Sequence, residues 1–205
     1  MKGSAYTLSY AGVLGAACAL LLTGVASFTA PYRNANADAD RKRNILAVLQ
    51  VPYPEKVSSE ELVSVFETNV REEKSGGLEL YRYVPDQDSE ADEAVAVHFE
   101  GPGLWGPIKG FLALDTDMRT IRGITFYEQE ETPGLGGEIV SDWFRRGFEG
   151  KKIVDESGEP GIIIKGGGET NAINEVDTIS GATMTCDKVE ELLNTVIVKI
   201  VKEKS

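Results

Sequence analysis

The feature that most constrains this chain is an uncharged N-terminal segment, residues 3–32, that is rich in Leu, Ala, Val and Gly. About 20 apolar residues, rising about 1.5 Å each, span a hydrocarbon core of about 30 Å. Tyr6, Tyr10 and Tyr32 lie near the two ends of the segment, where amphipathic rings favour the membrane interface. The segment therefore predicts one transmembrane helix, and we assign the anchor to residues 1–35.

A cleaved signal peptide is the competing interpretation of this segment. Lys2 gives a short basic start, and residues 27–30 loosely resemble a cleavage site. However, the apolar region of a signal peptide is shorter, at about 7–15 residues, and Pro31 would follow the cleavage site unfavourably. We therefore expect the segment to be retained as an anchor.

The charges beside the segment bear on its orientation. Four basic residues follow it: Arg33, Arg41, Lys42 and Arg43. Only Lys2 and the amino terminus precede it. The positive-inside rule applied to these charges favours a cytoplasmic location for the rest of the chain.

Composition excludes several classes of function. The 205-residue chain has a formal net charge of -12, and so acidic a protein is repelled by phosphate backbones. Its two cysteines, Cys18 and Cys186, and its single histidine, His98, are too few for a Cys-rich zinc site or a Cys-ligated iron–sulfur cluster. We expect no metal site, no nucleic-acid partner and no catalytic residues in the chain itself. A cofactor would supply any chemistry.

The periodicity of the remaining sequence predicts an α+β domain. Short runs rich in β-branched and aromatic residues predict a mostly antiparallel sheet; they are residues 80–84, 94–99, 108–114 and 121–127. Further short strands are predicted at 162–165 and 176–179, and helices at 142–148 and 186–202. The predicted fold is a single N-terminal transmembrane helix followed by one domain whose sheet is flanked by helices.

Two helices are predicted between the anchor and the sheet. Residues 36–51 read as a polar stalk that runs into a helix. Ser58 and Glu61 fit a capping box at the start of the next helix, whose apolar stripe extends to Val70. We therefore assign residues 36–75 to a helical stalk and the start of the domain.

Two glycine-rich segments are candidate ligand loops with simpler interpretations. Gly101, Gly103 and Gly106 match G-x-G-x-x-G, but a strand is predicted after them, whereas a dinucleotide site requires a helix there. They predict a turn, with Trp105 in the core or on a pocket wall. Residues 166–168 are three glycines without the Lys and helix of a phosphate-binding loop.

Residues 131–137, Glu-Thr-Pro-Gly-Leu-Gly-Gly, form another loop of this kind. Glycines permit a backbone to approach a ligand closely, and they also make ordinary turns. Composition alone favours the turn.

Residues 177–185 join the last predicted strand to the last helix and carry hydroxyl groups at 178, 180, 183 and 185. The first amides of a helix can hold a phosphate. The alternative is helix capping, with Asp187 and Glu190 as the start signal. The spacing does not separate these two interpretations.

Residues 177–185 resemble the attachment motif of the FMN-binding domain family, whose final Thr carries FMN through its phosphate. Further segments are similar to one branch of that family, a subunit of Na+-translocating NADH:quinone reductases that carries FMN, with its counterpart in the Rnf electron transport complex as a close relative. These segments are residues 41–46, 103–114, 131–138 and 150–153. The resemblance covers nearly the whole chain, with the FMN-binding domain at residues 76–205.

The resemblance implies a covalent FMN, bound as a phosphoester to Thr185. It also implies the other cofactor-binding residues, which are a phosphate cradle of Ser180, Gly181, Ala182 and Thr183, a loop at the isoalloxazine of Glu131, Thr132 and Leu135, and a wall formed by Trp105.

By the same resemblance, the protein is an electron-carrier subunit of a membrane Na+-translocating NADH:quinone oxidoreductase and relays single electrons without independent catalysis. Its partners are the other membrane subunits of the complex and a flavin transferase that installs FMN. The flavin domain would face the periplasm from the bacterial inner membrane, against the charge bias. The alternatives are an Rnf-type ferredoxin:NAD electron transport subunit and a non-redox anchored binding or scaffold domain.

Overall fold

The computed structural model describes residues 2–54, 56–85, 92–166 and 172–204. The chain divides into two compact units, Met1–Asp40 and Arg41–Ser205. Two of the three glycines at 166–168, Gly167 and Gly168, lie outside the described residues. The sequence-based boundaries at residues 35 and 75 stay predictions.

Helix α1 runs from Lys2 to Val48 and continues through Pro31. The polar stretch after the apolar segment, expected to be a stalk, is therefore helical itself. The most apolar 18-residue window of α1 has a mean hydropathy of 2.0 and contains no buried residue. By length and composition, this helix is able to cross a membrane.

Helix α2, Ser59–Asn69, begins with the predicted capping box. The Ser58 Oγ accepts a hydrogen bond from the Glu61 amide at 3.2 Å, and Glu61 Oε2 accepts one from the Ser58 amide at 2.9 Å. The helix ends at Asn69, one residue before Val70, although the apolar stripe predicts that Val70 is helical. Val70 has extended backbone angles and pairs with Tyr83 of the sheet, because β-branched residues favour strands.

Five antiparallel strands form the main sheet in the order β1-β2-β3-β4-β5. They are β1 Val70–Ser75, β2 Leu78–Tyr83, β3 Ala94–Pro102, β4 Pro107–Asp115 and β5 Ile121–Glu128. Four of them were predicted. The edge strand β1 was missed because its sequence, VREEKS, buries only its first residue. Charged edge strands are common because charge discourages pairing with another chain.

A second region follows β5. It contains a 3₁₀-helix Gly136–Val140, helix α3 Asp142–Arg146, a parallel pair of strands, β6 Ile163–Lys165 and β7 Glu175–Asp177, and the final helix α4 Thr183–Lys204. Helix α4 begins three residues before the predicted start at Cys186, because the Ala182 carbonyl already accepts the Cys186 amide at 3.0 Å. The predicted α+β fold class is confirmed.

The main sheet buries a different cluster of side chains on each face. Alternation along β3 directs Val95, Val97 and Phe99 into the cluster shared with α4, where Val189 and Leu193 are fully buried. The other face packs against the end of α1 and against α2; this cluster includes Leu46, Leu49, Leu62, Phe66 and Phe111. Helix α4 is thus fixed on one face of the sheet, and its first turn lies beside the 3₁₀-helix.

The only histidine, His98, is partly buried in this packing and makes the stability of the fold depend on pH. His98 Nε2 lies 2.8 Å from the Tyr127 hydroxyl, and burial, followed by the charge of Arg41, lowers the pKa of His98. The folded state therefore favours neutral histidine. In the unfolded chain, histidine binds a proton near about pH 6.5. The stability from neutral burial is complete above that pH and is lost as the pH falls below it.

As the pH is lowered from about 7 to about 5, we expect the free energy of unfolding to decrease more steeply for the wild type than for His98→Gln. The difference in slope is at most about 1.4 kcal/mol per pH unit, corresponding to one proton. Urea unfolding of the full-length protein in detergent, followed by tryptophan fluorescence, measures it. The curves should be parallel above about pH 7.5, and parallel curves at low pH as well would contradict the assignment.

Candidate functional site

A cavity of about 400 Å³ opens where the loop after β5 meets the start of α4. Its lining residues come from three segments of the chain: Leu104 and Trp105; Glu131, Thr132, Leu135 and Gly136; and residues 181–185. Eight of the nine predicted cofactor-binding residues line this cavity. Ser180, the ninth, is exposed and immediately precedes the lining segment.

The turn into α4 gives the cavity one of its walls. Gly181 has a φ of 80°, a left-handed conformation that glycine adopts without strain. The first α-helical hydrogen bond is accepted by Ala182, so the preceding amides, those of Thr183, Met184 and Thr185, have no partner within the helix. The first turn of α4 contains no acidic residue. The turn itself therefore contributes no carboxylate to offset the positive end of the helix dipole, and the nearest carboxylate of the cavity is that of Glu131.

A buried hydrogen bond between Thr185 and Glu131 forms the polar floor of the cavity. The Thr185 Oγ1 donates to Glu131 Oε2 at 2.7 Å, and the two residues are 2% and 4% exposed. The second carboxylate oxygen, Glu131 Oε1, accepts the amides of Leu104 at 2.8 Å and Trp105 at 3.1 Å. Burial of a carboxylate is costly unless its oxygens are hydrogen-bonded, and three donors satisfy this one.

Two glycines make room for this carboxylate. A Cβ at Gly136 would clash with Thr185 Oγ1 and lie 2.9 Å from Glu131 Oε2. A Cβ at Gly103 would lie 2.5 Å from Glu131 Oε1. Gly134 differs, because its φ is 75° and no atom lies within 4 Å of its built Cβ. Gly103 and Gly136 therefore leave space for the Glu131 carboxylate and the Thr185 hydroxyl, whereas Gly134 allows the left-handed backbone conformation of the turn.

The rim of the cavity is apolar and open to solvent. Trp105 is 70% exposed, Met184 64%, Leu135 44% and Leu104 41%. Of the two positions considered for Trp105, the structure has it on a pocket wall. A polar floor beneath an apolar rim suits a ligand with an anionic end and a flat apolar body.

Sequence reasoning missed several of these residues. Leu104 and Met184 carry no signal beyond being exposed apolar side chains, and their role follows only from their position at the rim. Gly103 and Gly136 could have been suspected, because each occurs in a glycine-rich segment beside another predicted site residue. Among the described residues, no group of three His, Cys, Asp or Glu side chains is arranged to hold a metal ion.

A larger cavity, of about 540 Å³, lies elsewhere in the second unit, near Arg41 and Lys109. Arg41 pairs with Glu79 and Lys109 with Glu128, each at 2.8 Å. None of the predicted site residues lines it. Size alone therefore does not identify the site, and the hydroxyl and helix terminus of the smaller cavity provide the more specific chemistry.

Comparison with known proteins agrees with the resemblance to FMN-binding domains. Residues 103–198 match the FMN-binding domain family. The chain is 46% identical over 95 residues to NqrC, a Na(+)-translocating NADH-quinone reductase subunit, of Yersinia pestis, an alignment that covers 46% of this chain and 36% of that protein. It is 27% identical to NqrC of Pasteurella multocida, over 86% of this chain and 83% of the relative.

A solved structure extends this similarity. The crystal structure of NqrC from Parabacteroides distasonis superimposes with a TM-score of 0.69 at 28% identity, covering 83% of this chain and 94% of the other. The chain spans just over a third of the length of the Yersinia pestis relative. The cavity, formed by residues 104–185, lies within the matched segment. Residues 103–198, the segment that contains the cavity, are thus similar to the FMN-binding domain family.

Proposed function

We propose that this chain is a covalent-FMN electron-carrier subunit of a membrane Na+-translocating NADH:quinone reductase. FMN is held as a phosphoester of the Thr185 hydroxyl and relays single electrons between neighbouring subunits. One observation carries the proposal: Thr185, the last residue of the predicted attachment motif, has its hydroxyl at the floor of a cavity within the segment that matches the FMN-binding domain family.

The residues around Thr185 fit a phosphate. The amides of the first turn of α4 can donate to phosphate oxygens, and the helix dipole favours negative charge there. Gly181, Ala182 and Thr183 line the cavity and form its cradle, with Ser180 at the outer edge. The first turn of α4 has no carboxylate of its own, and the neighbouring Glu131 carboxylate is bound by Thr185 and two backbone amides, so the amides of the turn remain available to an anion.

The rim fits the isoalloxazine. Flat aromatic rings pack favourably on aromatic and aliphatic side chains. Trp105 and Leu135 provide such surfaces from two different segments of the chain, and Thr132 adds a polar group to the lining. When bound, FMN supplies the one-electron chemistry, and the residues of this chain bind and orient it. A covalent link keeps a partly exposed cofactor from being lost by dissociation.

The remainder of the proposal concerns the membrane. Helix α1 anchors the protein in the bacterial inner membrane, and the FMN domain lies on the periplasmic side. The other membrane subunits of the reductase are its partners, and a flavin transferase installs the cofactor. The support is the length and hydropathy of α1 and the similarity to the NqrC relatives.

The attachment site is tested by Thr185→Val, which removes the hydroxyl but keeps the β-branched shape. We expect no covalent flavin in this variant. Stability should fall by about 1–3 kcal/mol, because Glu131 Oε2 loses its donor in a buried position. Fluorescence of the denatured protein on a gel and intact mass, after coexpression with a flavin transferase, measure attachment. Circular dichroism checks the fold.

Thr183→Val is the matched control, since Thr183 is an exposed threonine of the same motif in the same helical turn. It should retain covalent flavin, because Thr183 contributes its backbone amide to the cradle and the substitution keeps that amide. A fluorescent band in Thr185→Val that disappears in Thr183→Val would move the attachment to Thr183. A wild type without covalent flavin would favour the anchored scaffold instead.

The orientation is tested with reporter fusions to the C-terminus of the full-length chain. We expect activity from a reporter that works only in the periplasm and none from one that works only in the cytoplasm. The positive-inside rule predicts the reverse, but it is weak when a long domain is translocated. Cytoplasmic activity alone would show that the flanking charges decide the topology.

The ring contact is tested by Leu135→Ala, which removes a half-exposed apolar side chain from the rim. Flavin should remain attached, because Thr185 is intact, but its visible absorption and its reduction potential should shift. Val140→Ala is the matched control, because Val140 is 42% exposed in the adjoining 3₁₀-helix and does not line the cavity. If both variants give the wild-type spectrum and potential, Leu135 is not a ring contact.

A further inference from the structure

The hydrogen bond between Glu131 and Thr185 has a role beyond lining the cavity. We propose that Glu131 is the general base that removes the proton from Thr185 Oγ1 when this hydroxyl is esterified with flavin phosphate. The inference rests on the proposed attachment at Thr185. It assigns a catalytic step of maturation to the flavoprotein's own chain.

The geometry meets the requirements for a base. An alcohol is a weak nucleophile at neutral pH and is activated by a neighbouring group within hydrogen-bond reach. Glu131 Oε2 lies 2.7 Å from Thr185 Oγ1 and accepts its proton in a hydrogen bond. Glu131 is the only titratable side chain among the residues that line the cavity. The cavity thus contains one hydroxyl in contact with one group able to take its proton.

The carboxylate is also held in a fixed orientation. Its far oxygen, Oε1, accepts the amides of Leu104 and Trp105, which leaves Oε2 directed at the hydroxyl. Gly136 and Gly103 allow this position, because a side chain at either would meet the carboxylate or the hydroxyl. A base that is already oriented avoids the entropic cost of positioning it during the reaction.

The step balances without any oxidation or reduction. Thr185 Oγ1 forms a bond to the flavin-bearing phosphorus of a flavin dinucleotide, and the phosphoanhydride bond to that phosphorus breaks. A nucleoside monophosphate leaves, and the hydroxyl proton moves to Glu131 Oε2. The donor must be an anhydride, because direct esterification of the hydroxyl by FMN would release a water molecule, and this is unfavourable in aqueous solution. The transferase supplies the donor.

The position of the proton after transfer also fits the site. The flavin phosphate carries negative charge, and like charges in contact are unfavourable. The proton that Glu131 Oε2 accepts in this step cancels the charge of the carboxylate as the phosphoester forms beside it. A carboxyl group that has taken up a proton can also donate a hydrogen bond, whereas a carboxylate can only accept one.

Glu131→Gln separates the chemistry from the structure. The glutamine oxygen can accept the two backbone amides, and its NH2 group can donate to Thr185 Oγ1, so every hydrogen bond has a replacement. It cannot accept the proton. We expect the initial rate of covalent attachment to fall by about 100-fold, within the usual range for loss of a general base. The thermal midpoint should remain close to that of the wild type.

The experiment uses the full-length protein, made without the transferase and purified in detergent. FAD, Mg²⁺ and a flavin transferase are added, and attachment is followed by gel fluorescence and intact mass. Glu138→Gln is the matched control, because Glu138 belongs to the same loop region but does not line the cavity. It should attach flavin at the wild-type rate, and Thr185→Val should attach none.

Chemical rescue covers the case in which Glu131→Gln is unstable. Glu131→Ala leaves space beside Thr185, and added formate should restore attachment, whereas formamide, which is of similar size but cannot take the proton, should not. A Glu131→Gln rate within about two-fold of the wild type, or equal effects of formate and formamide on Glu131→Ala, would overturn the inference. Either result leaves the proposed function intact, provided that the wild type becomes flavinylated and Thr185→Val does not.

Discussion

The buried carboxylate of Glu131 is the interaction on which the candidate site depends. Its two oxygens bind the turn between β3 and β4 on one side and the first turn of α4 on the other. Glu131 itself belongs to the loop after β5. Three segments distant in sequence are thereby held at one point. Without this carboxylate, the amides of Leu104 and Trp105 and the hydroxyl of Thr185 would have no common acceptor.

The carboxylate can act in this way only because the hydrophobic core fixes α4. Val189, Leu193 and Ile197 are fully buried against the sheet, and Ile139 of the 3₁₀-helix belongs to the same cluster. Apolar burial is not directional, so it sets the position of a helix more readily than its rotation. The hydrogen bond from Thr185 adds a directional contact at the end where the cavity opens. Burial of the core therefore stabilises the packing of α4 on the sheet, and the hydrogen bond from Thr185 orients the first turn of that helix.

The sequence predicted the parts of this structure that local pattern determines. Runs of β-branched residues marked β2 to β5, and Ser58 with Glu61 marked the start of α2. It missed β1, whose charged side chains carry no strand signal, and it placed the start of α4 three residues late, at Cys186. Eight of the residues that line the cavity were predicted by resemblance, but the contact of Glu131 with Thr185 was not. Those two residues lie 54 positions apart, and no local pattern encodes a contact at that separation.

Stability and chemistry constrain the same pair of residues here. A buried carboxylate without a donor costs about 1–3 kcal/mol or more, so replacing Thr185 with an apolar residue weakens the fold as well as removing the hydroxyl. Replacing Glu131 with an apolar residue removes the shared acceptor of the Thr185 hydroxyl and of two backbone amides. An apolar substitution at either position is therefore expected to lower the stability of the fold by itself. Because the fold depends on this hydrogen bond, folding alone holds the proposed nucleophile in contact with the proposed base.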